Sequence, residues 1–88
     1  MKISDIRMRL VSKEGDKLKA VASITVEDCI VIHDIKVIEG KEGLFIQMPN
    51  KKYPDGTFKD IVHPNKSEIR VEIKDAVLAA YNDALKAE

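Results

Sequence analysis

The sequence predicts an α+β domain: an antiparallel, mostly meander sheet of about five strands with one C-terminal helix packed across it. Two patterns carry this. Through residues 1–63, short runs alternate apolar and polar side chains and are separated by glycine, proline and acidic turns. Over about residues 66–86, apolar side chains instead recur every three or four positions. The 88 residues make a single domain with one core, since chains of this size bury only about 60% of their unfolded surface.

The first strand spans Met1 to Ser12, with Ile6, Met8 and Leu10 on one face and Asp5, Arg7 and Arg9 on the other. Lys13-Glu14-Gly15-Asp16 reads as a hairpin turn with Gly15 as its permissive residue. From Leu18 to Val26 the alternation returns, with Leu18, Ala20, Ala22, Ile24 and Val26 inward. Glu27-Asp28 turns the chain into a third strand that breaks the pattern: Ile30 and Ile32 hold one parity, and Val31, Ile35 and Val37 the other. A strand apolar on both faces is usually covered on both. One helix covers only one side of a small sheet, so the pattern predicts that a second copy covers the other, as a homodimer.

Glu39-Gly40-Lys41-Glu42-Gly43 follows as a tight turn, its two glycines suited to positive φ. A fourth strand, Leu44 to Met48, is stopped by Pro49, which cannot donate to a sheet ladder. Asn50 to Gly56 reads as a polar loop closed by Pro54-Asp55-Gly56. A short strand, Phe58 to Val62, ends at His63-Pro64. Asn65-Lys66-Ser67-Glu68 then has the form of a capping box, and Ile69, Ile73, Ala76, Val77, Ala80, Tyr81 and Leu85 form one helical stripe.

The stretch from Ile32 to Pro64 holds both histidines, all three prolines and three of the four glycines. Within it, His33-Asp34-Ile35-Lys36-Val37-Ile38-Glu39-Gly40, Gly43-Leu44-Phe45, Met48-Pro49, Pro54-Asp55-Gly56, Phe58-Lys59-Asp60-Ile61 and His63-Pro64 resemble the stage V sporulation protein G (SpoVG, septation protein) family. The likeness runs more loosely through Met1-Lys2-Ile3 and Asp75-Ala76-Val77. It implies a homodimer that binds DNA, with RNA as a further ligand, and regulates gene expression around septation and sporulation.

Fifteen basic and fifteen acidic residues cancel, so polyanion binding has to come from a local patch. The candidate patch is Lys51 and Lys52 in the loop with Tyr53 as a stacking face, joined by Lys59 on the next strand and by Lys66 and Arg70 in the first helical turns. A solvated turn that keeps a sheet edge soluble would account for the same lysines, and the resemblance favours binding. The family's loop usually reads Ser-Lys-Arg-Thr-Pro, against Asn50-Lys51-Lys52-Tyr53-Pro54 here. Lysine attracts phosphate but lacks the bidentate fork with which arginine reads guanine. The alternative function is a protein-interaction module in septation without direct nucleic-acid binding.

Catalysis is not expected. His33-Asp34 and Asp60 with His63 place imidazoles near carboxylates, but no nucleophile is poised beside them and their spacing fits no metal site. His33 reads as a core residue, His63 as bonded to loop backbone, and the lone Cys29 as a reduced, half-buried thiol. Neither a signal-peptide h-region nor a bilayer-length apolar run occurs. The expectation is therefore a cytoplasmic protein with no membrane contact, small-molecule substrate or cofactor.

Overall fold

The computed structural model describes residues 2–11, 15 and 17–87. Met1, Ser12 and most of the expected Lys13–Asp16 turn lie outside the described residues; Gly15, inside them, has φ +83°. Strands β1 (Ile3–Leu10), β2 (Leu18–Val26), β3 (Ile30–Gly40) and β4 (Gly43–Gln47) form an antiparallel meander in the order β1-β2-β3-β4. Strands β5 (Asn50–Lys52) and β6 (Phe58–Asp60) form a second, two-stranded sheet. Helix α1 (Ser67–Ala87) packs against β1, β3 and β4. The fold class is the expected α+β.

The core lies between helix and sheet. Ala20, Ala22, Ile24 and Val26 of β2, Ile35 and Val37 of β3, and Ile46 and Met48 meet Ile73, Val77 and Tyr81 of α1, all buried. The helical stripe is buried as far as Tyr81, while Leu85 stays exposed and Leu78 packs partly on the core. The expected capping box does not form. The Lys66 carbonyl accepts the Arg70 N–H at 3.2 Å, and no side-chain cap from Asn65, Ser67 or Glu68 occurs among the described residues.

The broken alternation of β3 has a local cause. Ile24 pairs with Ile32 but Ala22 with Ile35, so β3 carries one extra residue at His33-Asp34. Asp34 there adopts φ +64°. This is a β-bulge, and it reverses the parity of the strand. Ile32 before it and Ile35 and Val37 after it therefore share the helix-facing side. The two-sided reading of β3 is corrected accordingly: only Val31 and Ile38 face the other way. His33 is corrected too: it alternates with Ile32 and so faces outward, where Nδ1 lies 3.0 Å from Ser23 Oγ.

Register fixes what the other sheet face carries. A second bulge between Leu18 and Ala20 swings Leu18 out opposite Ile38, which pairs with Phe45. The next row is Arg9–Val21–Lys36–Gln47, and beyond it Arg7 pairs with Ser23 beside His33. No helix or strand covers this face among the described residues.

The turn into β3 falls where expected, at Glu27-Asp28, and the β3–β4 turn differs in detail. Glu27 (φ +54°) and Asp28 (φ +58°) make a left-handed turn without glycine. Their N–H groups donate to the Lys2 carbonyl (2.8 Å) and Ser4 Oγ (2.9 Å), which anchors the strained turn to β1. Cys29 follows and is exposed, not half-buried, with Sγ 3.8 Å from the Val26 carbonyl. In the β3–β4 turn only Gly43 takes positive φ (+120°). Gly40 leaves the Phe45 ring its place, because a Cβ there would stand 2.9 Å from Cε1 and push the ring aside.

Candidate nucleic-acid interface

Asn50–Lys52 is a strand rather than part of a loop. Pro49 ends β4, and its carbonyl accepts the Ile61 N–H, closing the base of a hairpin that leaves the main sheet. Asn50 pairs with Asp60, Lys51 with Lys59, and Lys52 with Phe58. At the tip, the Tyr53 N–H donates to the Thr57 carbonyl (2.8 Å) and the Gly56 N–H to the Tyr53 carbonyl (2.9 Å). Asp55 Oδ1 accepts from the Thr57 hydroxyl (2.7 Å) and N–H (3.0 Å). These two bonds, the hydroxyl's first, lower the Asp55 carboxyl below its ordinary pKa.

Strand alternation separates the two loop lysines. Lys51 and Lys59 stand directly opposite on one face, with Nζ 5.8 and 5.5 Å from the Tyr53 ring centroid. Lys52 projects from the other face over Phe58, at 5.8 Å. Like charges directly across a strand pair repel, and a shared aromatic face offsets part of that cost through its quadrupole. The hairpin's carboxylates are engaged elsewhere. Asp55 is held by Thr57, and Asp60 pairs with Arg70 Nη2 at 3.6 Å, tying β6 to the first turn of α1. Lys51, Lys52 and Lys59 thus stand exposed with no ion-pair partner among the described residues.

Of the expected set, the hairpin gathers Lys51, Lys59 and Tyr53 on one face and Lys52 on the other. Arg70 is joined through Asp60, which partly neutralises it. Lys66 is exposed just before α1, with no ion pair to the hairpin. Sequence reasoning missed Phe58, 62% exposed beneath Lys52; alternation from Lys59 would have found it. His63 behaves as expected, its Nδ1–H donating to the Pro64 carbonyl at 3.3 Å. Among the described residues no group of histidine, cysteine and carboxylate side chains could hold a metal ion, and no helix is long and apolar enough to cross a membrane.

Two further surface features adjoin the hairpin. Strand β4 pairs with β3 only over Lys36–Gly40, so among the described residues the Ile30–Ile35 half of β3 has β2 on one side and no strand on the other. Beside this open edge runs an apolar groove of about 400 Å³, lined by Ile30, Val31, Met48, Val62, Pro64 and Ile69 among others. A smaller hollow of about 310 Å³, lined by Asp34, Lys36, Pro49, Asn50 and Ile61, joins the hairpin base to the open face of the sheet.

A meander sheet backed by one helix, with a cationic hairpin set off at its edge, makes a small α+β domain. Residues 1–83 match the SpoVG family. The SpoVG protein of Acholeplasma laidlawii strain PG-8A is 51% identical over 88 residues, covering 100% of this chain and 93% of that protein. Those of Staphylococcus carnosus strain TM300 and Staphylococcus aureus strain JH9 are each 49% identical over 83 residues, 94% of this chain and 77% and 82% of theirs. These relatives carry a septation name. The chain belongs to the SpoVG family.

Proposed function

We propose that this chain is a cytoplasmic, non-enzymatic, homodimeric regulator that binds nucleic acid, DNA or RNA, and acts on gene expression and septum formation. The observation that carries the binding is the Lys51–Lys59 pair over Tyr53. Two exposed ammonium groups are held side by side against an aromatic face, with neighbouring carboxylates tied to Thr57 and Arg70. A pair of like charges costs stability in isolation and gains when phosphates arrive and displace counterions. Lys52, Lys66 and Arg70 extend the patch toward the helix. With lysines in place of guanine-reading arginines, the surface favours backbone contacts over base readout.

Dimerisation is supported by the open β3 edge. Ile30 and Val31 are 59% and 51% exposed on a strand whose N–H and C=O groups on that side have no sheet partner among the described residues. Such an edge is a template for pairing with a second copy.

The test is fluorescence anisotropy with a labelled DNA duplex and the RNA of the same sequence. Lys51→Ala with Lys59→Ala should weaken binding to both while leaving the melting temperature unchanged, because both side chains are solvated. Unchanged affinity in that variant moves the site off the hairpin. No binding by the parent protein at low salt leaves the protein-interaction reading of septation.

A further inference from the structure

We infer that the open face of the four-stranded sheet is a second binding surface, made for an unpaired nucleic-acid strand. This rests on the proposed nucleic-acid binding and adds to it where the strand lies. Three observations carry the inference.

The first is charge segregation. The chain is neutral overall, with fifteen residues of each sign. Its open sheet face nevertheless presents Arg7, Arg9 and Lys36, placed in adjacent rows by register. The carboxylates nearest them are Asp5, which meets Arg7 at 3.3 Å, and Asp34 at the bulge. The Arg7–Asp5 pair is solvent-exposed on both sides, and such pairs are weak and readily exchanged for a phosphate. Arg9 and Lys36 have no ion-pair partner among the described residues.

The second is an aromatic side chain prepared on the same face. Phe45 lies against Gly40, where an added Cβ would stand 2.9 Å from the ring edge and displace it, and the residue is still 45% exposed. A ring seated on backbone and open to solvent, one row from Lys36, has the form of a stacking platform for a base. An antiparallel sheet that pairs exposed aromatic rings with cations suits unpaired strands, whose bases can be splayed out.

The third is the bulge. His33 follows Ile32 onto the open face, 3.0 Å from Ser23 and beside Arg7, and the left-handed Asp34 returns Ile35 and Val37 to the core side. The bulge thus keeps the core side apolar and leaves an imidazole and a hydroxyl among the cations of the open face. The hollow between Lys36 and Asn50 makes this face continuous with the base of the hairpin, so one strand can pass from Phe45 across the cations to Lys51 and Lys59.

The experiment measures anisotropy of a short labelled oligodeoxythymidine, the matching oligouridine, and a duplex of equal length. Phe45→Leu should weaken both unpaired strands about fivefold or more and hardly change the duplex. Arg9→Ala with Lys36→Ala should flatten the salt slope for unpaired strands by about 1.4, at about 0.7 per neutralised phosphate. Melting and sedimentation of both variants should match the parent. The two oligonucleotides separate DNA from RNA as the source of the strand. Parent-like single-strand binding by both sheet variants overturns the inference; if Lys51→Ala with Lys59→Ala alone loses binding, the hairpin reading stands without it. A parent that binds neither strand nor duplex overturns both readings. Altered sedimentation in the sheet variants makes the face a protein interface and overturns the inference alone.

Discussion

Gly40 and Gly43 face each other across the β3–β4 turn and are glycines for different reasons. Gly43 has φ +120° with nothing within 4 Å of an added Cβ, whereas Gly40 is confined by Phe45. Gly43→Ala should therefore cost about 1 kcal/mol or more through backbone strain, whatever stands at position 45. Gly40→Ala should cost stability only while the ring is present, and Phe45→Ala in the same chain should recover most of it; additive losses in urea titration would contradict the steric account. At Asp55, Thr57 lowers the folded-state pKa below the ordinary 3.8. Its contribution is therefore present above pH 3.8 and lost as pH falls through the lower folded value. Thr57→Val, which keeps the N–H bond and loses the hydroxyl's, should shrink this acid limb of the stability profile and leave neutral pH behaviour almost unchanged. At this scale the sequence is legible where a residue type has one use, as with Gly56 (φ +89°) closing the Pro54-Asp55-Gly56 turn. It is not legible at Asp34, because an aspartate in the left-handed region looks like any other.

Among the elements, α1 is legible because its stripe is regular, and its buried residues Ile73, Val77 and Tyr81 all lie on that stripe. Ile73→Ala should cost about 2–4 kcal/mol in chemical denaturation, and Lys74→Ala, on the exposed side, almost nothing. Equal responses would mean that the helix faces are wrongly assigned. The capping-box motif misleads, since it supplies the groups for a bond and the chain's path into the helix decides whether the bond forms. Strand β5 is invisible for a different reason. Asn50-Lys51-Lys52 has no apolar face to signal a strand, and it exists because Pro49 expels the chain and β6 supplies a partner. Once it is a strand, Lys51 and Lys52 cannot act as one pair.

For the whole molecule, the dimer proposal rests on a different basis from the sequence pattern that suggested it. The bulge removes most of the second apolar face from β3 and leaves an open edge with Ile30 and Val31 exposed. Val31→Lys on that edge should give a monomer by sedimentation at micromolar concentration if the edge pairs with a second copy. A dimer of unchanged stability would place the interface elsewhere. Charge is neutral only in sum. The hairpin and the open sheet face collect cations, while on the helix Glu68, Glu72, Asp75 and Asp83 offset Arg70, Lys74 and Lys86. A neutral chain can in this way hold a phosphate strand on one side without a long-range field.

The measurement closest to the central claim is the salt dependence of DNA affinity for the parent and for the Lys51→Ala, Lys52→Ala, Lys59→Ala variant. If the hairpin cations neutralise phosphates, the parent's log affinity should fall steeply with log salt. The variant's slope should then be shallower by about 2–3, near 0.9 for each phosphate that no longer meets a lysine. Parallel slopes with equal affinities would contradict it.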